Sequence, residues 1–268
     1  MKVTREDLKK GFYDLRLGNL PVIVHASLKT FGEVDGGAAT VAEALVESFR
    51  SILTPAFTYK TMITPEVGPK DNGMVYGTGR DANKMAEFFS PDMPVDRLIG
   101  SIPEALRQNP LAKRSSHPIL SFTGIHTERF LAAQTMKDPF GPIGEMERSG
   151  GWVLLLGVNH TVNTSIHYAE KLAGRRTFLR WALTPRGVIE CPSFPGCSAG
   201  FDAIAPELKH HTRRRKIGKA EVQAVPLRLL IKIVIGAIKK DPLAYLCQQD
   251  DCPRCGEVRN SVQKITGR

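Results

Sequence analysis

The chain has 268 residues, of which 42% are hydrophobic and 24% charged. That composition suits one large folded domain or two small ones, and no run approaches the 18 apolar residues of a membrane span. A net charge of +10 favours an anionic partner such as nucleic acid, a phosphorylated cofactor or acidic lipid. Residues 4–15, "TREDLKKGFYDL", read as an amphipathic helix with Thr4 as N-cap and no carboxylate completing a capping box. The charged start lacks the apolar centre of a secretory signal, so the expected location is cytoplasmic.

"LPVIVHASL" (20–28) is apolar and β-branched, hence a buried strand, and "KTFGEVDGG" (29–37) is a glycine-rich loop. Residues 39–53 have helical periodicity, and 54–62 read as a further strand edge. The Gly-, Pro- and Asp-rich stretch 63–82 is a long loop of the kind that often carries function. A short helix is expected at 101–110, and a strand leading into a helix at 121–134. "GWVLLLGV" (151–158) is the most convincing central strand, followed by a helix at 164–173. "KHHTRRRK" (209–216) reads as a solvated loop or helix face, with a phosphate contact as the sharper reading. Residues 219–240 read as one long helix with Pro226 near its start. The alternation of apolar runs and helical patterns predicts an α/β fold: a mixed central sheet flanked by helices, with a helical and cysteine-rich C-terminal segment.

The strand at 151–158 ends in the loop "GVNHTVNTS", and the helix after it carries His167 and Glu170 on one face. A carboxylate beside an imidazole orients it and raises its basicity, giving a general base for an amine or hydroxyl. Thr164 or Ser165 is the expected N-cap. His25 reads as a satisfied structural histidine, and His160 is left open.

All five cysteines lie in the last third. Their odd number argues against a disulfide framework. "CQQDDCPRCGE" (247–257) sets Cys252 and Cys255 around a tight turn suited to one zinc ion. Cys247 is expected as a third ligand and Cys197 as a fourth, with Cys191 as its alternative.

Three stretches join the helix at 164–173 in resembling one family. "VHASLKTFGEVDGG" (24–37), "RSSHPILSF" (114–122) and "DPFGPIGEMERSGGWVLLLGVNHTVNTSIHYAE" (138–170) are similar, in order and spacing, to motifs of the aminoglycoside 3-N-acetyltransferases. The resemblance implies an antibiotic N-acetyltransferase-like fold over residues 1–268, read as a single domain with a zinc-binding segment at 241–268. It implies acetyl-CoA as co-substrate and transfer to the 3-amino group of an aminoglycoside. His167 matches the general base and Glu170 its acidic partner. Ser27, Leu28, Lys29, Gly36 and Gly37 match the loop that meets CoA, and Arg114, Ser115 and His117 match a second CoA-facing element. Ala26 replaces the first serine of many members, and Lys60 and Glu66 stand where many place acceptor-side carboxylates. The acetyl transfer is therefore the firmer expectation, with another amine as the alternative acceptor. A zinc-containing nucleic-acid-binding protein is the competing class, but "KHHTRRRK" holds none of the aromatic residues such a surface interleaves.

Overall fold

The computed structural model describes residues 2–266. Helix α1 (Arg5–Tyr13) leads to strand β1 (Val22–Ala26), then helix α2 (Gly37–Ser48) and strand β2 (Ile52–Pro55). A short strand β3 (Met62–Ile63) and helices α3 (Arg80–Lys84) and α4 (Ser101–Arg107) follow. Strands β4 (Ala112–Arg114) and β5 (Phe122–Ile125) precede helices α5 (Glu128–Ala132) and α6 (Gly141–Arg148). Strand β6 (Trp152–Leu156) runs into helix α7 (Ser165–Leu172). Strands β7 (Phe178–Thr184) and β8 (Gly187–Phe194), helix α8 (Ala205–Leu208), strands β9 (Arg213–Ile217) and β10 (Ala220–Pro226), and helices α9 (Leu227–Lys240) and α10 (Pro253–Thr266) complete the order.

Seven strands form one mixed sheet in the order β4-β5-β2-β1-β6-β10-β9, and β3-β7-β8 form a second, antiparallel sheet. The centre is parallel: β1 pairs with β2 (Val22↔Ile52) and with β6 (Val22↔Trp152, Ala26↔Leu156). Both faces are covered, which explains why β6 and residues 22–24 of β1 are continuously apolar rather than alternating. Val22, Val24, Leu154 and Leu156 pack on one side with Leu8 and Phe12 of α1, Val41 and Leu45 of α2, and Ile102 of α4. Ile23, Val153 and Leu155 point the other way, to Ile143 of α6, Ile166 and Ala169 of α7, and Leu230 and Val234 of α9.

Three expectations are corrected. Asp7 accepts the Thr4 N–H at 2.9 Å while the Thr4 hydroxyl accepts from the Asp7 N–H, so α1 does have a capping box. The stretch 219–240 is not one helix. Its first part is β10, because alternate Ala220, Val222 and Ala224 face the core beside β6, and Pro226 marks the turn into α9. The basic run divides: Lys209–His211 form an exposed 3-10 turn, as expected of a solvated face, whereas 213–216 belong to the edge strand β9. Its Arg213 lies 4.4 Å over the Trp152 ring, and Arg214 pairs with Glu221 at 2.7 Å. Charged side chains on an edge strand discourage further strand addition.

Among the described residues, no helix is long and apolar enough to cross a membrane.

Candidate active site

The parallel strands β2, β1 and β6 end side by side, and the chain leaves β1 toward β2 while β6 lies on its other flank. Such a reversal of strand order opens a crevice beyond the carboxyl ends, the usual ligand position in α/β sheets. Two loops meet there: 27–37 after β1, and 157–164 after β6.

The loops are knitted together. The Ser27 N–H donates to Leu156 O at 3.0 Å, and the Ser27 carbonyl accepts from Thr30 Oγ1 at 2.7 Å. Gly157 turns at φ +67°, and a Cβ there would overlap Thr30 Oγ1. Only glycine meets both demands. Gly157→Ala should therefore destabilise the fold by about 1–3 kcal/mol through strain and overpacking. Denaturant midpoints check this, and pairing it with Thr30→Ala, which removes the obstructing hydroxyl, should recover part of the loss.

The far end of loop 27–37 is fixed by Val3, whose N–H donates to Glu33 O at 2.8 Å while its carbonyl accepts from Asp35 N at 2.9 Å. Gly36 (φ +71°) and Gly37 (φ +63°) open α2, whose N-terminus carries no side-chain cap. The Gly37 N–H donates to Val34 O at 3.1 Å, and the helix start otherwise has no capping side chain, an arrangement suited to a phosphate. Leu28 packs against the core below, and Lys29 is exposed.

His167 and Glu170, expected to share one face of α7, are in contact. His167 Nδ1 lies 2.7 Å from Glu170 Oε2, with both side chains largely buried. Phe140 stacks on the imidazole with centroids 6.0 Å apart, and Phe201 meets it edge-on at 4.7 Å. With Nδ1–H donated to the carboxylate, Nε2 keeps the lone pair that accepts a proton. Glu170 Oε1 in turn accepts from Arg175 NH1 at 2.8 Å. The cap of α7 is corrected: Asn163 Oδ1 accepts the Ser165 N–H at 3.1 Å, while Thr164 sits in helical geometry and makes no side-chain cap. His160 is buried beside this turn, with Nδ1 3.2 Å from the Asn163 amide and its backbone N–H donated to Asp202 Oδ1 at 3.1 Å. Burial lowers its pKa. His25, from β1, is not the satisfied residue expected. Its buried Nε2 has no partner, and burial, with His160 second, lowers its pKa to about 3.

The element 114–117, expected to meet CoA, is engaged with neighbouring protein groups, while His117 Nε2 is buried without a partner. Arg114 donates to Ser121 Oγ at 3.1 Å, to Pro91 O at 3.1 Å, to Ala56 O at 2.7 Å and to Met93 O. Four of its five N–H groups are thus committed, which leaves no bidentate pair for a phosphate. Ser115 Oγ accepts the Phe122 N–H at 2.8 Å. His117 Nδ1 accepts the N–H groups of Ile119 and Leu120 at 3.2 and 3.0 Å, and burial lowers its pKa to about 4. These three residues brace β4, β5 and the turn between them.

The sulfurs of Cys197, Cys247, Cys252 and Cys255 all lie within 4.8 Å of one another. Tetrahedral coordination at 2.3 Å requires sulfurs about 3.8 Å apart, so this donor set fits one zinc with a small contraction. Cys252 and Cys255 stand at the start of α10, Cys247 on the loop after α9, and Cys197 on the loop after β8. Cys191 is excluded: it is buried within β8 among apolar neighbours, and burial pushes its thiol up to about 12. Cys252 is held below the ordinary thiol range. Burial opposes its thiolate, but the Cys255 N–H and the surrounding thiols outweigh it.

Sequence reasoning missed Phe140, Asn163, Arg175 and Phe201. Asn163 had a readable signal, since Asn two residues before a helix start is a common turn acceptor. The others come together only through tertiary packing.

A family profile described as aminoglycoside 3-N-acetyltransferase matches residues 23–239. The SPbeta prophage-derived aminoglycoside N(3')-acetyltransferase-like protein YokD of Bacillus subtilis (strain 168) is 32% identical over 174 residues, and the match spans 62% of this chain and 62% of that protein. Among solved structures, the aminoglycoside acetyltransferase AAC(3)-IVa apoenzyme superposes with a TM-score of 0.78 at 21% identity, covering 97% of this chain and 98% of that one. AAC-IIIb in binary complex with CoASH gives 0.71 at 23% identity, covering 90% and 97%.

Proposed function

Because the chain belongs to the aminoglycoside 3-N-acetyltransferase family, we propose that it transfers an acetyl group from acetyl-CoA directly to the 3-amino group of an aminoglycoside, with His167 as base. The observation that carries the reading is the His167–Glu170 contact of 2.7 Å on α7, the helix that follows the 157–164 loop. An aliphatic ammonium cannot attack a thioester. His167 Nε2 takes the amine proton, the freed nitrogen forms a bond to the thioester carbonyl carbon and releases its second proton to solvent, and collapse of the tetrahedral intermediate breaks the carbon–sulfur bond. The imidazolium can then return the proton to the CoA thiolate. Glu170 stabilises the imidazolium in the interval. No acyl-enzyme is required.

Ser27, Leu28, Lys29, Gly36 and Gly37 supply the CoA-binding loop in this reading, through bare backbone, one exposed cation and the uncapped start of α2. The four cysteines hold a structural zinc that ties the loops after β8 and α9 to α10. The basic edge strand β9 belongs to the fold of this enzyme, and the nucleic-acid-binding reading gives way to the family.

A thiol-release assay with acetyl-CoA, across aminoglycosides and simple amines, tests the proposal. Release should depend on the aminoglycoside. Release only with other amines would transfer the chemistry to a different acceptor, and none with any amine would sink it. CoA at about 100 times its dissociation constant should stabilise the fold by about 2.7 kcal/mol, read as a raised melting temperature.

A further inference from the structure

The residue after α7 returns twice to Glu170. Gly174, at φ +79°, ends the helix in the left-handed conformation, which brings the Arg175 N–H to Glu170 O at 2.9 Å. The Arg175 side chain, only 3% exposed, then reaches Glu170 Oε1 at 2.8 Å. Its other terminal nitrogen donates to Pro242 O at 2.7 Å and Ala244 O at 2.8 Å. Those carbonyls belong to the short segment that ends at Cys247, a member of the four-thiol cluster. A continuous chain of contacts therefore runs from the cysteine cluster through Pro242 and Ala244, Arg175 and Glu170 to His167 Nδ1.

From this chain we infer that Arg175 is a positioning residue for the base: it anchors Glu170 against the cysteine-bound segment and sets how firmly His167 holds a proton. The inference rests on the reading of His167 as base. The physical argument concerns two separate properties of one guanidinium. Its charge stabilises the Glu170 carboxylate with a neutral imidazole, a pair of net charge −1, over the same pair carrying one more proton. Its fork fixes the carboxylate plane, because one nitrogen bonds Glu170 while the other is held by two carbonyls. A lysine offers the charge without that fork.

Other charged and titratable groups near the pair have partners of their own. On α7, Lys171 pairs with Asp138 at 2.8 Å. From the neighbouring loops, Asp202 accepts the His160 N–H at 3.1 Å, and Tyr245 donates to Glu207 at 2.6 Å. Phe140 stacks on the imidazole and Phe201 meets it edge-on. Arg175 is thus the cation that bears directly on Glu170.

The experiment uses full-length Arg175→Met and Arg175→Lys, with the His167 ring titrated by NMR of histidine-labelled protein alongside pH profiles of turnover. In Arg175→Met, the ring should titrate about one pH unit higher or more. The acid limb of kcat/KM should move with it. At neutral pH kcat should fall by about 10- to 100-fold, while KM for acetyl-CoA stays within about twofold. Arg175→Lys should restore the titration but not the full kcat. An unchanged ring titration in folded Arg175→Met would overturn the inference, as would wild-type kcat in Arg175→Lys should the methionine variant fail to fold. A shifted titration with unchanged turnover would instead leave Arg175 coupled to His167 and remove His167 from the role of base.

Discussion

His167→Ala should lower acetyl transfer by about 10²–10⁴-fold, equivalent to about 3–5 kcal/mol of barrier, with CoA binding nearly intact. CoA is held in the proposed reading by backbone and charge of loop 27–37, which is braced by β6, Val3 and Thr30 rather than by α7. The deficit should shrink as pH rises, because more acceptor amine arrives already neutral and needs no base. Wild-type turnover at pH 7 by a folded variant would remove catalysis from this helix face. The structure also changes what Glu170→Gln would report. Glu170 is the partner of a buried arginine as well as of His167. The glutamine variant leaves Arg175 charged and unpaired, and breaking a buried pair in this way costs about 3–5 kcal/mol of stability. Lost activity in that variant mixes orientation with folding, so His167→Ala is the cleaner probe.

The parts of the fold that were legible in sequence are those fixed by local pattern. The apolar runs of β1 and β6 and the helical face of α7 are each specified by burial within a few residues. His167 and Glu170 were legible because three residues along a helix suffice to bring them together. Arg175 was not, because its partners at 242 and 244 lie almost seventy residues away and contribute only backbone carbonyls. The Arg114 element was legible as a motif but not as contacts: its bonds to Ser121, Ala56, Pro91 and Met93 arise from tertiary packing that a motif does not state. The segment 219–240 misled for a different reason. A run of β-branched and apolar residues on both sides of Pro226 fits strand or helix equally well, and pairing with β6 decides between them.

Purified, untagged protein should contain about one zinc per chain, and Cys252→Ser or Cys255→Ser should lose it together with several kcal/mol of stability. Four thiols packed within 4.8 Å give the argument its sign. Without a cation, each added thiolate repels the others in a partly buried site, and burial pushes the Cys255 thiol strongly upward. A divalent ion reverses that penalty and joins three separate segments: the loop after β8, the loop after α9, and α10. Among the described side chains of α10, Cys255 and Val258 are the buried apolar ones, so the site bears much of the packing around it. Loss of the ion should therefore loosen α10 and the 242–247 segment before it disturbs the parallel strands. Hydrogen exchange of chelated protein should show faster exchange in α10 and near Cys247, with β1 and β6 still protected. Elemental analysis finding less than about a tenth of an equivalent after growth with added zinc, or uniform exchange across all elements, would leave the cysteines as free thiols with no metal role.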